Sequence, residues 1–167
     1  MEKEIKQSEK EALMEVGFQG WVTVNELRSS CACVPANKGV YMVLRYLSDE
    51  MPEFLEKGSG GLHKGTDMNY KVSDLESHWV NDTSIMYIGK TDNSLRKRIS
   101  TYIKHGMGQD AAHRGGRSVW QLPDAADLVF IWFPIKETAD ARTLEIMFLN
   151  EFRESHNGRL PFANRTK

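Results

Sequence analysis

The sequence has no long apolar segment and very little cysteine. No hydrophobic run approaches the ~20 residues that a membrane-spanning helix requires, and the first four residues have no signal-peptide pattern. We therefore expect a cytoplasmic protein. Cys31 and Cys33 are the only cysteines. Two thiols one residue apart are too few ligands for a zinc site and are poorly placed for a mutual disulfide, so both are expected to be structural.

The chain also lacks a large net charge of either sign. Its formal charge is −1, which does not indicate a nucleic-acid-binding protein. The distribution is uneven, because residues 1–80 hold 9 basic and 13 acidic side chains, whereas residues 81–167 hold 13 and 10. Residues 84–118 contain seven basic residues and only two acidic ones, Asp92 and Asp110. A concentrated basic patch can attract a polyanion even on a neutral protein.

What remains is typical of a globular protein. Hydrophobic residues make up 40% of the 167 positions and charged residues 27%, so the chain can bury a core within one domain. Three apolar segments predict β-strands, at 40–47, 85–88 and 128–135. The first reads as a central strand. The second is closed by Gly89, which predicts a turn, and Pro134 in the third fits either a strand terminus or an edge strand.

Helices are predicted over 1–16, 25–27, 72–79, 139–154 and from about residue 95 onward. The helix near 95 follows Ser94, a good capping residue. Its first turn contains Arg96, Lys97 and Arg98, where the positive end of the helix dipole makes each cation unfavourable by roughly 0.3–1 kcal/mol. The same geometry suits an incoming anion. We interpret this stretch as a phosphate site; the alternative is a solvated basic face.

Four further residues indicate chemistry. Glu145 lies inside the apolar stripe of the 139–154 helix, where a carboxylate needs a cation, a metal or several donors. Alternatively, it stands at the edge of the stripe and reaches solvent or an arginine. Tyr41 and Tyr87 lie inside apolar strands, as core tyrosines commonly do. Lys90 follows closely, and an ammonium beside either phenol would lower its pKa from the usual ~10.

Five pieces of the sequence together resemble the GIY-YIG endonuclease superfamily, each in its expected secondary-structure context. In chain order they are Gly39-Val40-Tyr41, Tyr87-Ile88-Gly89-Lys90, Leu95-Arg96-Lys97-Arg98, Ala141-Arg142-Thr143-Leu144-Glu145 and Leu160-Pro161-Phe162-Ala163-Asn164. The resemblance covers about residues 36–166.

The resemblance implies a compact α/β (α+β) domain, a small three-stranded antiparallel sheet flanked by helices. This catalytic domain would span 36–167 and follow an N-terminal helical extension at 1–35. Residues 48–83 would be an insertion between the first two strands. Because this span is rich in glycine and poor in apolar residues, we expect it to leave the core.

The resemblance also implies hydrolysis of a DNA phosphodiester with one divalent metal, Mg²⁺ or Mn²⁺. Glu145 would be the metal ligand, Arg98 would stabilise charge on the phosphate, and Asn164 would hold the site together. One carboxylate suffices for Mg²⁺, which keeps most of its waters. A guanidinium forks onto phosphate oxygens, most usefully as negative charge builds.

The same resemblance implies that Tyr87 or Tyr41 activates or orients the attacking water, with Lys90 helping. Two departures from the family's pattern leave this assignment open. The gap between the two tyrosines is far longer than in small members. Tyr102 stands one helical turn after Arg98, where some members have a histidine, and His105 is the nearby candidate to replace it.

The basic residues around the phosphate site are expected to contact DNA. They are Arg96, Lys97, Lys104, His105, Arg114 and Arg117. Several lie with His113 and Trp120 in a glycine-rich stretch that could form a loop in contact with DNA. The alternative is a surface loop that closes onto the third strand and does not contact DNA.

Two other functions compete with an endonuclease. One is a non-catalytic nucleic-acid-binding module on the same fold, and metal-dependent turnover separates the two. The other is an adaptor whose basic helix binds a protein anion; salt-sensitive DNA binding would count against it. The oligomeric state is open, because a double-strand cut by an enzyme with one site requires a homodimer or two sequential visits.

Overall fold

A computed structural model describes residues 3–60, 62–63, 65–111, 113 and 115–165. The α-helices in these ranges are α1 (Gln7–Val16), α2 (Val24–Ser29), α3 (Val72–His78), α4 (Leu95–Gly106) and α5 (Ala141–Ser155). The strands are β1 (Gln19–Thr23), β2 (Gly39–Leu44), β3 (Leu62–His63), β4 (Thr66–Asp67), β5 (Ile85–Thr91) and β6 (Val129–Pro134). Two 3₁₀ turns, Arg117–Gln121 and Ala125–Asp127, precede β6. None of the helices in the described ranges has the length and apolarity needed to cross a membrane.

The main sheet is antiparallel, with its strands in the order β1-β6-β2-β5. β2 is central and all six of its residues are buried, which its apolar sequence predicted. A mixed α/β chain with an antiparallel sheet flanked by helices is therefore confirmed. The expected count of three strands is wrong, because β1 adds a fourth by pairing with β6. β1 is half-exposed and has little apolar pattern. For this reason the sequence did not predict an edge strand within the N-terminal segment that was expected to be helical.

Each face of the sheet is covered by its own set of helices, since side chains alternate along a strand. One face packs against α2, α4 and the first 3₁₀ turn through Tyr41, Val43, Tyr87, Phe130 and Trp132. The opposite face packs against α1 and α5 through Val40, Met42, Leu44, Ile88 and Ile131. Residues adjacent in β2 and β5 therefore belong to different cores.

The 48–83 segment does not leave the core as expected. Phe54 stacks on Phe162, with ring centroids 5.4 Å apart, and Trp79 meets both rings edge-on at 5.9 and 5.5 Å. Leu75 of α3 is fully buried. The segment has few apolar side chains, but these are placed inside, so it contributes to the main hydrophobic core.

Hydrogen bonds from Gln121 also hold this segment. The buried Gln121 amide donates to the carbonyls of Leu55 and Tyr70 at 3.0 and 2.9 Å. Its oxygen accepts from the Tyr70 N–H at 2.9 Å. One side chain thus satisfies backbone groups at two points of the segment, which would otherwise be costly to bury.

β5 does not end at Gly89, where a turn was predicted, but runs on to Thr91. The glycine is required for packing. A Cβ atom at position 89 would lie 2.6 Å from Cζ of Tyr41 and 2.8 Å from Cε2 of Tyr87, closer than carbon atoms can approach. The two tyrosine rings occupy the space that a side chain at position 89 would need.

We expect Leu75→Ala to destabilise the protein by about 2–5 kcal/mol, because it leaves a cavity in the core. Leu55→Ala is the matched control, since it lies in the same segment but is 40% exposed, and it should cost less than about 1 kcal/mol. Urea unfolding of both variants measures the difference. Equal, small losses would mean that the segment lies outside the cooperative core.

Candidate active site at the β5 edge

Three tyrosine rings meet on the face of the sheet that α4 covers. Tyr41 of β2 and Tyr87 of β5 have ring centroids 6.0 Å apart. Tyr102 of α4 lies 6.4 Å from the first and 5.9 Å from the second. Tyr41 and Tyr102 are 0% exposed and Tyr87 is 8% exposed. The two tyrosines of the sequence motif are therefore together, and Tyr87 is the more accessible.

Three residues that follow α4, His113, Gly115 and Gly116, lie against the three hydroxyl groups. The His113 ring stacks on Tyr102, with centroids 4.0 Å apart and planes 5° apart, and its Nε2 lies 3.3 Å from the Tyr41 hydroxyl. Tyr102 donates to the carbonyl of Gly116 at 2.5 Å. Gly115 lies so close that a Cβ there would be 2.2 Å from the Tyr87 hydroxyl. His113 and the buried Trp120 thus belong to the core, and a loop that contacts DNA through them does not fit their burial.

A cation and a carboxylate from different helices act on the two phenols. The charge of Arg98, on α4, lowers the pKa of both Tyr41 and Tyr87, whereas that of Glu145, on α5, raises both. α4 and α5 cover opposite faces of the sheet, and both pack against β5, which is an edge strand. The Nε atom of Arg98 is buried and has no hydrogen-bond partner among the described residues. It is a buried donor whose hydrogen-bonding capacity is unsatisfied within those residues.

The phenols themselves are neutral. Burial raises the pKa of Tyr41, and it raises the pKa of Tyr87 and Tyr102 well above the usual value near 10. The expectation that Lys90 lowers a tyrosine pKa is wrong. Lys90 stands three residues after Tyr87 in one strand, so it projects from the opposite face. Its Nζ lies 2.6 Å from a carboxylate oxygen of Asp92.

Glu145 is half-buried on α5. Burial raises the pKa of its carboxyl, while the positive charges of Lys90 and Arg142 oppose this and the negative charge of Asp92 adds to it. No group of three or more His, Cys, Asp or Glu is placed to hold a metal over the described parts of the chain. A single carboxylate still matches Mg²⁺, which binds through one or two carboxylates and retains several waters.

Asn164 braces β5 directly behind the site. Its Oδ1 accepts from the N–H of Ile88 at 3.0 Å and its Nδ2 donates to the Ile88 carbonyl at 2.9 Å. The N–H of Ala163 donates to the carbonyl of Met86 at 2.8 Å. The amide thereby completes the backbone hydrogen bonds of β5 next to Gly89, which fits the positioning role implied for it.

The residues expected to contact DNA separate into exposed and engaged groups. Lys97 and Lys104 are exposed and lie seven residues apart, on one side of α4. The Arg96 Nε donates to the Val34 carbonyl at 2.7 Å and so holds the segment that precedes β2. This bond gives Arg96 a structural role, which accounts for one of the three cations in the first turn of α4. The Arg117 guanidinium donates to the Tyr70 hydroxyl at 3.0 Å.

His105 does not fit direct DNA contact, because it is only 1% exposed. It faces inward from the last turn of α4, and a Cβ at Gly60 would lie 3.3 Å from its Nε2. Whether it replaces the histidine that some family members place one helical turn after Arg98 stays a prediction. Arg114 lies outside the described residues.

Comparisons with protein-family models, with curated proteins and with solved structures each gave no match. The interpretation of the site therefore depends on its own residues and their geometry. The rings of Tyr41 and Tyr87 are neighbours, the charges of Arg98 and Glu145 act on both phenols, and Asn164 is hydrogen-bonded to the strand that holds Tyr87. It adds His113, for which the sequence offered only a position in a glycine-rich loop.

The burial of His113 predicts how stability depends on pH. Burial lowers its pKa from near 6.5 to about 2, and the positive charge of Arg98 contributes in the same direction. Between these values the unfolded chain binds a proton that the folded chain does not. Stability is therefore fully present above pH 6.5 and falls on acidification, by about 1.4 kcal/mol per pH unit from this residue.

We expect His113→Gln to remove this slope, because glutamine does not titrate. Between pH 6.5 and pH 5 the variant should lose about 2 kcal/mol less stability than the wild type. Urea unfolding at several pH values gives both curves. Parallel curves would show that His113 titrates normally in the folded protein.

Proposed function

We propose that the protein is a metal-dependent DNA endonuclease that hydrolyses phosphodiester bonds at the β5 edge. The observation that carries this proposal is that the charges of Arg98 and Glu145, on helices that cover opposite faces of the sheet, both act on Tyr41 and Tyr87. A cation with a buried unpaired donor, a carboxylate and two phenols make a set suited to a phosphate, a metal and a water.

Arg98 is the group that would bind the scissile phosphate. Its buried Nε donor has no partner in the described part of the chain, so a phosphate oxygen would satisfy it. A guanidinium held in a site of low dielectric acts most strongly on charge that develops in the transition state. Arg98 would therefore lower the barrier more than it strengthens binding of the ground state.

In the reaction the oxygen of a water joins phosphorus and the bond from phosphorus to the leaving oxygen breaks. The proton that the water loses is balanced by one that the leaving oxygen gains. Because burial keeps Tyr87 and Tyr41 protonated, the phenols would orient the water by hydrogen bonding. Tyr87 is the more exposed of the two, so we assign it the contact with water and Tyr41 the support behind it.

Glu145 would hold Mg²⁺ or Mn²⁺, which when bound supplies a Lewis acid for the phosphate and an acidified water. The Lys90 charge acts on Glu145 and favours its ionised form, which is the form that can ligate a metal. Lys90 would thus assist metal binding by keeping Glu145 ionised, and it would do so from the face of the sheet opposite to the phenols.

DNA would approach along the exposed side of α4. Lys97 and Lys104 lie two helical turns apart there, about 10 Å by the rise of an α-helix. They can neutralise separate phosphates without contacting bases, so they would contribute affinity and little sequence preference.

One observation favours the non-catalytic alternative, a nucleic-acid-binding module on this fold. The hydroxyl groups of Tyr41 and Tyr102 are fully covered, and Gly115 lies against that of Tyr87. A protein that only binds DNA would need no access to them. Metal-dependent nicking separates the two functions.

The first test is nicking of supercoiled plasmid with Mg²⁺ or Mn²⁺ and with an EDTA control. We expect Glu145→Gln to abolish cleavage while DNA affinity stays within about twofold, because the variant loses a metal ligand without losing a phosphate contact. The control is Glu154→Gln, an exposed position on the same helix, which should cut normally. Cleavage by Glu145→Gln at the wild-type rate would exclude this metal ligand.

We expect Arg98→Ala to lower kcat about 10²–10³-fold, the range observed when a transition-state contact is removed. Lys97→Ala is the matched comparison, one residue away and exposed. It should raise KM with kcat unchanged, and the slope of log K against log salt should fall by about 1. If both variants change only KM, Arg98 binds DNA but takes no part in the chemical step.

A further inference from the structure

Two arginines from distant parts of the chain meet at the ring of Tyr70. The guanidinium carbon of Arg165 lies 4.0 Å from the ring centroid, and that of Arg117 lies 5.6 Å from it. Nη2 of Arg117 also donates to the Tyr70 hydroxyl at 3.0 Å. Tyr70 belongs to the 48–83 segment, whereas Arg117 begins the first 3₁₀ turn and Arg165 directly follows Asn164. Three separate parts of the chain thus place side chains against one phenol.

This group of side chains borders the candidate site. Arg117 directly follows Gly116, whose carbonyl accepts from the Tyr102 hydroxyl at 2.5 Å. One residue earlier, a Cβ at Gly115 would lie 2.2 Å from the Tyr87 hydroxyl. Consecutive Cα atoms are about 3.8 Å apart, so the Cα of Arg117 is within about 8 Å of that of Gly115. A ligand at Arg117 would therefore lie close to the phenol to which we assign the contact with water.

Tyr70 is a well-anchored support for Arg117. Its backbone N–H and its carbonyl are both hydrogen-bonded to the Gln121 amide, each at 2.9 Å. Arg165, which lies against the ring, also forms an ion pair with Asp74 on α3. The Tyr70 hydroxyl therefore has a defined position, and its hydrogen bond restricts the Arg117 guanidinium before any ligand binds. Such restriction lowers the entropic cost of binding.

The charge of Arg117 is not balanced within the described part of the chain. Asp74 neutralises Arg165, whereas Arg117 forms no ion pair with a carboxylate in the described ranges. A phenol hydroxyl supplies an acceptor but no negative charge, and a guanidinium has five N–H donors. Arg117 is partly exposed, so an anion can approach it. A phosphodiester, with its single negative charge, matches this excess of one positive charge.

We propose that Arg117 binds a second phosphate of the DNA, beside the scissile one, and that Tyr70 is the positioning residue for its guanidinium. Arg165 holds the Tyr70 ring and does not bind DNA, because its charge is paired with Asp74. The 48–83 segment would thus serve the site through one phenol. The location beside the scissile phosphate rests on the proposed nuclease function, whereas phosphate binding by Arg117 requires only that the protein binds DNA.

The phosphate contact can be tested without cleavage, by the fluorescence anisotropy of a labelled DNA duplex in EDTA over a range of salt concentrations. We expect Arg117→Gln to lower the slope of log K against log salt by about 1, the value for one phosphate contact. Arg117→Lys keeps the charge and should keep the slope of the wild type. Thermal unfolding checks that each variant is folded.

Arg159→Gln is the matched control. The Arg159 guanidinium is likewise bonded to neutral oxygens, the carbonyls of Ser77 and Trp79, both at 2.8 Å. It borders a groove over the face of the sheet that α1 and α5 cover, which is opposite to the three tyrosines. Removing its charge should leave both the affinity and the salt slope unchanged.

A double-mutant cycle tests whether Tyr70 acts through Arg117. Tyr70→Phe keeps the ring beside Arg165 and removes the acceptor for Arg117, so we expect the DNA affinity to fall about 3–10-fold. In an Arg117→Gln background the same change should weaken binding less than about 1.5-fold. A purely structural role of Tyr70 would instead weaken binding equally in both backgrounds.

The location of the contact is tested on the DNA, at a cut position found in the nicking assay. An uncharged methylphosphonate replaces each phosphate near the cut in turn. At one position that flanks the cut, the replacement should weaken binding by the wild type and leave binding by Arg117→Gln unchanged. An effect found only at distant positions would reject the location beside the scissile phosphate.

The proposal is overturned if Arg117→Gln keeps the salt slope of the wild type, if Arg159→Gln lowers it equally, or if Tyr70→Phe acts alike in both backgrounds. A protein that shows these binding effects but cuts no DNA would lose the nuclease function and keep the phosphate contact at Arg117. A protein that does not bind DNA would lose both.

Discussion

The contact between Tyr41 and the backbone of Gly89 is the constraint on which the site depends. The two residues stand opposite each other in the pairing of β2 with β5, and the ring lies where any side chain at position 89 would be. This close approach carries a residue of the central strand toward the edge of the sheet. At this edge Tyr41 packs beside Tyr87, and the charges of Arg98 and Glu145 act on its hydroxyl.

Several properties of the site follow from this packing. The rings are buried, so the phenols stay neutral and the site has a low local dielectric, in which a single guanidinium exerts a strong field. Gly115 and Gly116 lie against the hydroxyl groups of Tyr87 and Tyr102, and the His113 imidazole contacts that of Tyr41. Asn164 supports the same strand from its outer side, so the position of Gly89 is fixed from both directions. These residues act as one unit.

The sequence predicted the parts of the fold whose signals are local. β2 and β6 are nearly continuous apolar runs, and α4 and α5 have clear helical periodicity. β1 has weak apolar character because it is an exposed edge, and it is identified only by its partner β6. The 48–83 segment looked solvent-exposed because its anchors, Phe54 and Leu75, are sparse in the sequence.

For the site, the sequence predicted which residues to consider but not which face of the sheet they occupy. Lys90 was paired with the tyrosines by proximity along the chain, whereas strand alternation sends it to the other face. His113 could not be assigned from the sequence, since its contact with Tyr41 spans 72 residues and depends on the path of a loop. Such long-range contacts have no sequence periodicity.

The hydrogen bonds between Asn164 and the backbone of β5 have a consequence for self-association. A free sheet edge is a template on which another chain can add a strand. At the β5 edge, Ala163 and Asn164 occupy backbone groups of Met86 and Ile88. At the β1 edge, a bulge at Trp21, with φ of 60°, disrupts the regular register. Ala163 and Asn164 thereby occupy positions that an added strand would need, so we expect their removal to leave an apolar strand open to strand addition by other chains.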